Sequence, residues 1–119
     1  MHGFPKNLDL SAAIGQETTQ FRIGPYDLQF SFGEVSFAVQ SQVELWRNSP
    51  IIATWQSGEW PSAEFYKALC AAVTSVCIID NERRLCIALN NGLELHILDN
   101  SDQYESLQIY VSGSMPYIV

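Results

Sequence analysis

The sequence predicts an α+β domain made mainly of antiparallel β-sheet, built from two related helix-plus-meander units with one main α-helix at about 61–72. Three observations carry this expectation. Apolar and polar residues alternate at a spacing of two through most of the chain, as in Leu28-Gln29-Phe30 and Val35-Ser36-Phe37. Turn formers separate these runs, and Asn91-Gly92 is the strongest hairpin signal among them. Only the stretch that begins at Pro61 sets apolar residues at helical spacing over several turns.

Taken in order, Leu8 to Gly15 reads as one or two helical turns, with Asp9 as the N-cap and Gly15 as the stop. Thr19, Phe21 and Ile23 then alternate with Gln20 and Arg22 until Gly24-Pro25 breaks the strand. Leu28–Phe32 and Val35–Val39 form a hairpin about Gly33-Glu34, and Val43 to Trp46 and Ile51 to Trp55 read as two further short strands. In the main helix Pro61 takes the first position, Glu64 lies at the positive end of the dipole, and Phe65, Leu69 and Ala72 share a face with Ala68 beside them. Thr74 to Ile79, Leu85 to Leu89, Leu93 to Leu98, Glu105 to Val111 and Pro116 to Val119 complete the strands.

The two halves resemble one another. Leu10-Ser11-Ala12-Ala13-Ile14 aligns with Leu69-Cys70-Ala71-Ala72-Val73, and Gly33 with Gly92, each glycine between two alternating strands. Two copies make a pseudo-symmetric single domain over 1–119, with halves at about 8–46 and 61–111, and not a solenoid.

The 119 residues, 47% hydrophobic, are enough to bury a core without staples. Thirteen acidic against six basic side chains give a net charge of -7, which repels phosphate backbones and anionic bilayers, so neither nucleic acid nor membrane is an expected partner. The charge serves solubility, and it also favours a basic protein partner. Cys70, Cys77 and Cys86 include no C-x-x-C pair, lie in apolar stretches and read as reduced core residues. The opening residues lack the pattern of a leader, and no apolar run reaches bilayer length, which makes the cytoplasm the expected compartment.

No catalytic, cofactor-binding or metal-binding constellation is expected. His2 lies on a terminal tail, and His96 shares a sheet face with Glu94 and is expected to look toward solvent. A Cys77-His96-Asp99 nucleophilic arrangement is conceivable in three dimensions, but nothing in the local sequence activates its cysteine. The Asp99-Asn100-Ser101-Asp102 cluster fails as an EF-hand, because Tyr104 and Tyr110 stand where a glycine and a glutamate are required, and it reads as a turn. Trp46, Trp55 and Trp60, with Arg47 close by, suit either a recognition surface or the core. The core is the expected place for at least two of them, Trp60 foremost.

The turn Ile23-Gly24-Pro25-Tyr26 and the segment Asp99-Asn100-Ser101-Asp102-Gln103-Tyr104-Glu105-Ser106 resemble the I-G-P-Y turn and D-x-S-x-x-Y-E-S segment of a small bacterial family, filed as a domain of unknown function. The resemblance implies a bacterial origin and a compact domain with no assigned activity; proteins of this kind often lie beside secreted toxins. The expected function is therefore a non-enzymatic protein-binding domain, an immunity-like inhibitor that neutralises a basic toxin. Its expected binding residues are Asp99, Asp102, Tyr104, Glu105, Trp46 and Trp55. The alternatives are a homodimeric small-ligand-binding or structural module, joined through a sheet edge or the tryptophan-rich stretch, and an enzyme using Cys77 or His96.

Overall fold

The computed structural model describes residues 4, 8–79, 83–99, 107–111 and 117–118. Alternation becomes strand along most of that length: β1 (Thr18–Ile23), β2 (Leu28–Phe32), β3 (Val35–Val39), β4 (Gln42–Arg47), β5 (Ile51–Trp55), β6 (Val73–Ile79), β7 (Arg84–Leu89), β8 (Leu93–Leu98), β9 (Leu107–Val111) and β10 (Tyr117–Ile118). In β2 and β3 every second residue, Leu28 to Phe32 and Val35 to Val39, is buried and the residues between are half-exposed, which is how a strand with one face on a core must read.

The strands form two five-stranded antiparallel sheets, in the orders β1-β2-β3-β9-β10 and β5-β4-β8-β7-β6. Each sheet takes a three-stranded meander from one half of the chain and two strands from the other half. The joins are β3 with β9 and β4 with β8. Phe30, Phe37 and Ile109 of the first sheet belong to the same buried cluster as Leu45, Ile87 and Leu95 of the second, so the sheets sandwich one core.

A pseudo-two-fold axis relates the sheets, and backbone hydrogen bonds mark its position. Ahead of β1 and β6 the chain pairs with itself. Gly15 N–H donates to Val73 O at 2.8 Å and Cys70 N–H to Thr18 O at 2.9 Å. Val73 N–H donates to Gln16 O at 2.9 Å and Thr18 N–H to Ala71 O at 2.8 Å. Matching Gly15 to Cys70, Gln16 to Ala71 and Thr18 to Val73 carries each bond onto its counterpart. The same match sets buried Leu10 and Ala13 against buried Phe65 and Ala68, and Gly15 at φ +87° against Cys70 at φ +69°. Each sheet also bulges one residue into its first strand, where Thr19 Oγ1 donates to Ser31 O and Thr74 Oγ1 to Ala88 O.

The α+β expectation is overturned: the described residues form a nearly all-β sandwich with no α-helix. Where the helix at 61–72 was expected, only a 3-10 turn over Ala63–Ala68 forms, opened by Ser62 Oγ accepting from Glu64 N–H at 3.2 Å. Three residues per turn puts Phe65 and Ala68 on one inward face. The α-helical partner Leu69 is 36% exposed. Cys70 then enters the left-handed region, and the backbone from Cys70 onward is taken by the pairing with Thr18. The first segment likewise holds a 3-10 turn, Ser11–Ala13, with Asp9 Oδ1 accepting from Ser11 N–H at 3.0 Å. The halves are exchanged rather than side by side, and Leu10 corresponds to Phe65, four residues ahead of the Leu69 that the sequence alignment suggested.

Candidate functional site

Alternation also decides what the outer face of the second sheet carries. β4 turns Val43 and Leu45 inward and Gln42, Glu44 and Trp46 outward, and β8 turns Leu93, Leu95 and Ile97 inward and Glu94 and His96 outward. Antiparallel register then lines up Cys77 of β6, Cys86 of β7, His96 of β8 and Glu44 of β4 in one row across the sheet. Arg84 lies one step along β7 from Cys86 on the same face.

Glu44 is the hub of this face. Its Oε1 accepts from Arg84 Nη1 at 2.7 Å and from Trp46 Nε1 at 3.0 Å, and its Oε2 from Gln42 Nε2 at 3.3 Å. The same arginine nitrogen lies 3.0 Å from His96 Nδ1. Arginine has donors only, so Nδ1 accepts, and the ring hydrogen sits on Nε2, which donates to Glu94 Oε1 at 2.9 Å. The Trp46 indole stacks on the imidazole with ring centroids 5.0 Å apart and planes at 20°. Glu44 and His96 are each 7% exposed although they stand on an outer face, because the long side chains around them close over them. His96 therefore shares a face with Glu94 as its sequence position suggests, but it is covered and does not look to solvent.

Arg84 pairs with the covered Glu44, so the carboxylate this face offers to solvent is that of Glu94, whose side chain is 39% exposed, and charge-assisted bonds in several directions hold the cluster in place. Cys86 Sγ lies 3.6 Å from His96 Nδ1. Burial, reinforced by the neighbouring Cys77, pushes the Cys86 thiol up to about 12. A thiol held there stays protonated at neutral pH, the opposite of an activated nucleophile. All three cysteines are free thiols, but only Cys86 is buried; Cys70 and Cys77 are exposed, against the expectation of three core residues.

Of the described residues expected to bind, only Trp46 stands on this face. Trp55 is 1% exposed and donates from Nε1 to Glu59 O at 2.9 Å, a core side chain with nothing to offer a partner. The Asp99 side chain is fully buried and faces Arg83 Nη1 at 3.7 Å, so it adds no charge to an open surface and stands apart from the Cys77–His96 row. Asp102, Tyr104 and Glu105 lie outside the described residues, as does His2. Trp60 is 83% exposed, so of the three indoles only that of Trp55 belongs to the core.

Sequence reasoning missed Glu44, Arg84 and Glu94. The alternation of β4 and β8 already places Glu44 and Glu94 on the polar side of their strands; Arg84 meets them only through a cross-strand register that no local signal encodes. Among the described residues no group of three or more His, Cys, Asp or Glu side chains is arranged to hold a metal ion, and no helix is long and apolar enough to cross a membrane. Comparison of the chain with protein-family models, with curated proteins and with solved structures finds no match.

Proposed function

We propose that this protein is a non-enzymatic protein-binding domain, an immunity-like inhibitor that occludes a basic partner with the outer face of its second sheet. One observation carries the proposal: Trp46, Arg84, Glu44 and Glu94 are locked in a single hydrogen-bonded cluster before any partner arrives. Tryptophan and arginine are the side chains most enriched at binding hot spots, and a surface ordered in advance loses little entropy on association. Exposed Ile51, cross-strand to Trp46, and Ile79, at the far edge of the sheet, add apolar area on either side. The net charge of -7 and the resemblance to small bacterial proteins found beside toxins favour a basic partner.

The test is co-purification with the product of the adjoining gene at low and at high salt. The expected result is a complex that weakens as salt rises and that is lost in Trp46→Ala. The absence of a complex in both conditions overturns the proposal.

A further inference from the structure

The pseudo-two-fold axis relates the outer faces of the two sheets position by position, and one position differs in a way that opens a site. The pairings of β9 with β3 and of β4 with β8 match Tyr110 to Trp46, Gln108 to Glu44 and Ala38 to His96. The aromatic arrangement is kept: Tyr110 donates its hydroxyl hydrogen to Gln108 Oε1, just as Trp46 donates to Glu44 Oε1. The ring beneath it is not kept. Where the second sheet fills the space against Trp46 with imidazole, the first sheet has only the methyl group of Ala38. A cavity of about 220 Å³ lies there, lined by Ala38, Tyr110, Gln20, Gln29, Ser31 and Ser36 among others, and a second of about 290 Å³ shares Gln29, Ala38 and Tyr110 with it.

We propose that this trough on the first sheet is a carbohydrate-binding site in which a sugar ring lies against Tyr110 in the space that His96 fills on the second sheet. The chemistry of the lining selects the ligand class. Gln20, Gln29, Ser31 and Ser36 offer neutral amides and hydroxyls, which both donate and accept, as the hydroxyls of a sugar require. Tyr110 is 42% exposed and lines both cavities, an aromatic surface on which the C–H side of a pyranose can pack. Among the described lining residues the one cation, Arg22, stands at the rim strand β1, and the one carboxylate, Asp27, accepts from Gln29 Nε2 at 2.8 Å. The contrast with the second sheet is chemical as well as spatial, because Ser36 stands where that sheet carries Glu94 and Gln108 where it carries Glu44. A phosphate-bearing ligand is disfavoured by the net charge of -7. The site is separate from the protein-binding face, so the two proposals stand or fall apart.

The experiment is saturation-transfer NMR and calorimetry of the full chain against methyl glycosides of glucose, galactose, mannose, N-acetylglucosamine and glucuronic acid at about 10 mM, with phenol as a non-sugar ring. At least one glycoside is expected to bind in the millimolar range, and Tyr110→Ala to weaken it roughly tenfold or more. Ala38→His puts into the first sheet the side chain that its counterpart already accommodates, and is expected to abolish binding with the melting temperature preserved. Gln29→Leu is a second probe that keeps the question open to test if Ala38→His fails to fold. Failure of every glycoside to bind, binding of phenol alone, or binding indifferent to these substitutions overturns the inference.

Discussion

Replacing Glu44 by alanine removes the hub of the second sheet's outer face, and the structure sets the size of the effect. The Glu44–Arg84 pair has side-chain exposures of 9% and 20%, between the surface pairs worth ~0–1 kcal/mol and the fully buried ones whose one-sided removal costs ~3–5 kcal/mol. Arg84 keeps some access to water and its contact with His96, which places the loss near ~2 kcal/mol. Trp46 Nε1 also loses its acceptor, for about 1 kcal/mol more. An unfolding entropy of ~2.1 cal/mol/K per residue makes a total of about 3 kcal/mol a fall of about 12 °C in melting temperature for a chain of 119 residues. Gln108→Ala, at the matching position of the first sheet, removes only an exposed bond to Tyr110 and is expected to cost less than ~0.5 kcal/mol. Urea titration followed by tryptophan fluorescence measures both variants. A Glu44→Ala protein within ~0.5 kcal/mol of the parent, or equal losses at the two positions, would mean that Glu44 does not anchor this face.

Other predictions follow from the same geometry. The Cys86 thiol lies above its ordinary value of 9.0, at about 12, so its contribution to stability is complete below pH 9 and is lost as the pH rises toward 12; Cys86→Ala should flatten that alkaline decline in urea titrations. Cys70 holds the left-handed conformation that Gly15 holds across the axis, so Cys70→Gly should stabilise by about 0.5 kcal/mol and Gly15→Ala destabilise by about 1 kcal/mol in thermal melts. Phe65→Ala empties a fully buried site and should cost ~3–5 kcal/mol by urea titration. Light scattering at several concentrations separates the binding domain from the homodimer alternative: a strict monomer excludes the latter.

The strands were legible because each has one face on the core, and a period of two then shows directly in the residues, as at Leu28–Phe32 and Leu93–Leu98. The stretch from Pro61 was misleading. Phe65, Ala68, Leu69 and Ala72 satisfy a helical face, yet the chain must leave the turn at Cys70 to pair with Thr18, a demand made by residues more than fifty positions away. Strand exchange was hidden for the same reason, since nothing local in β4 distinguishes β3 from β8 as its neighbour. Trp46 could be singled out by residue type alone, whereas the worth of Glu44 and Arg84 depends on a contact across forty residues. The tryptophan cluster misled because nearness in sequence says nothing about sheet face: Trp46 points outward from β4 and Trp55 inward from the neighbouring strand β5.

A partner docked on the preformed face of the second sheet leaves an NMR footprint there. The captured partner, added unlabelled to 15N-labelled protein, should perturb the Trp46 indole N–H and the amides of Glu44, Glu94 and His96 most strongly. Perturbations confined to the first sheet, around Gln29, Ala38 and Tyr110, would contradict it.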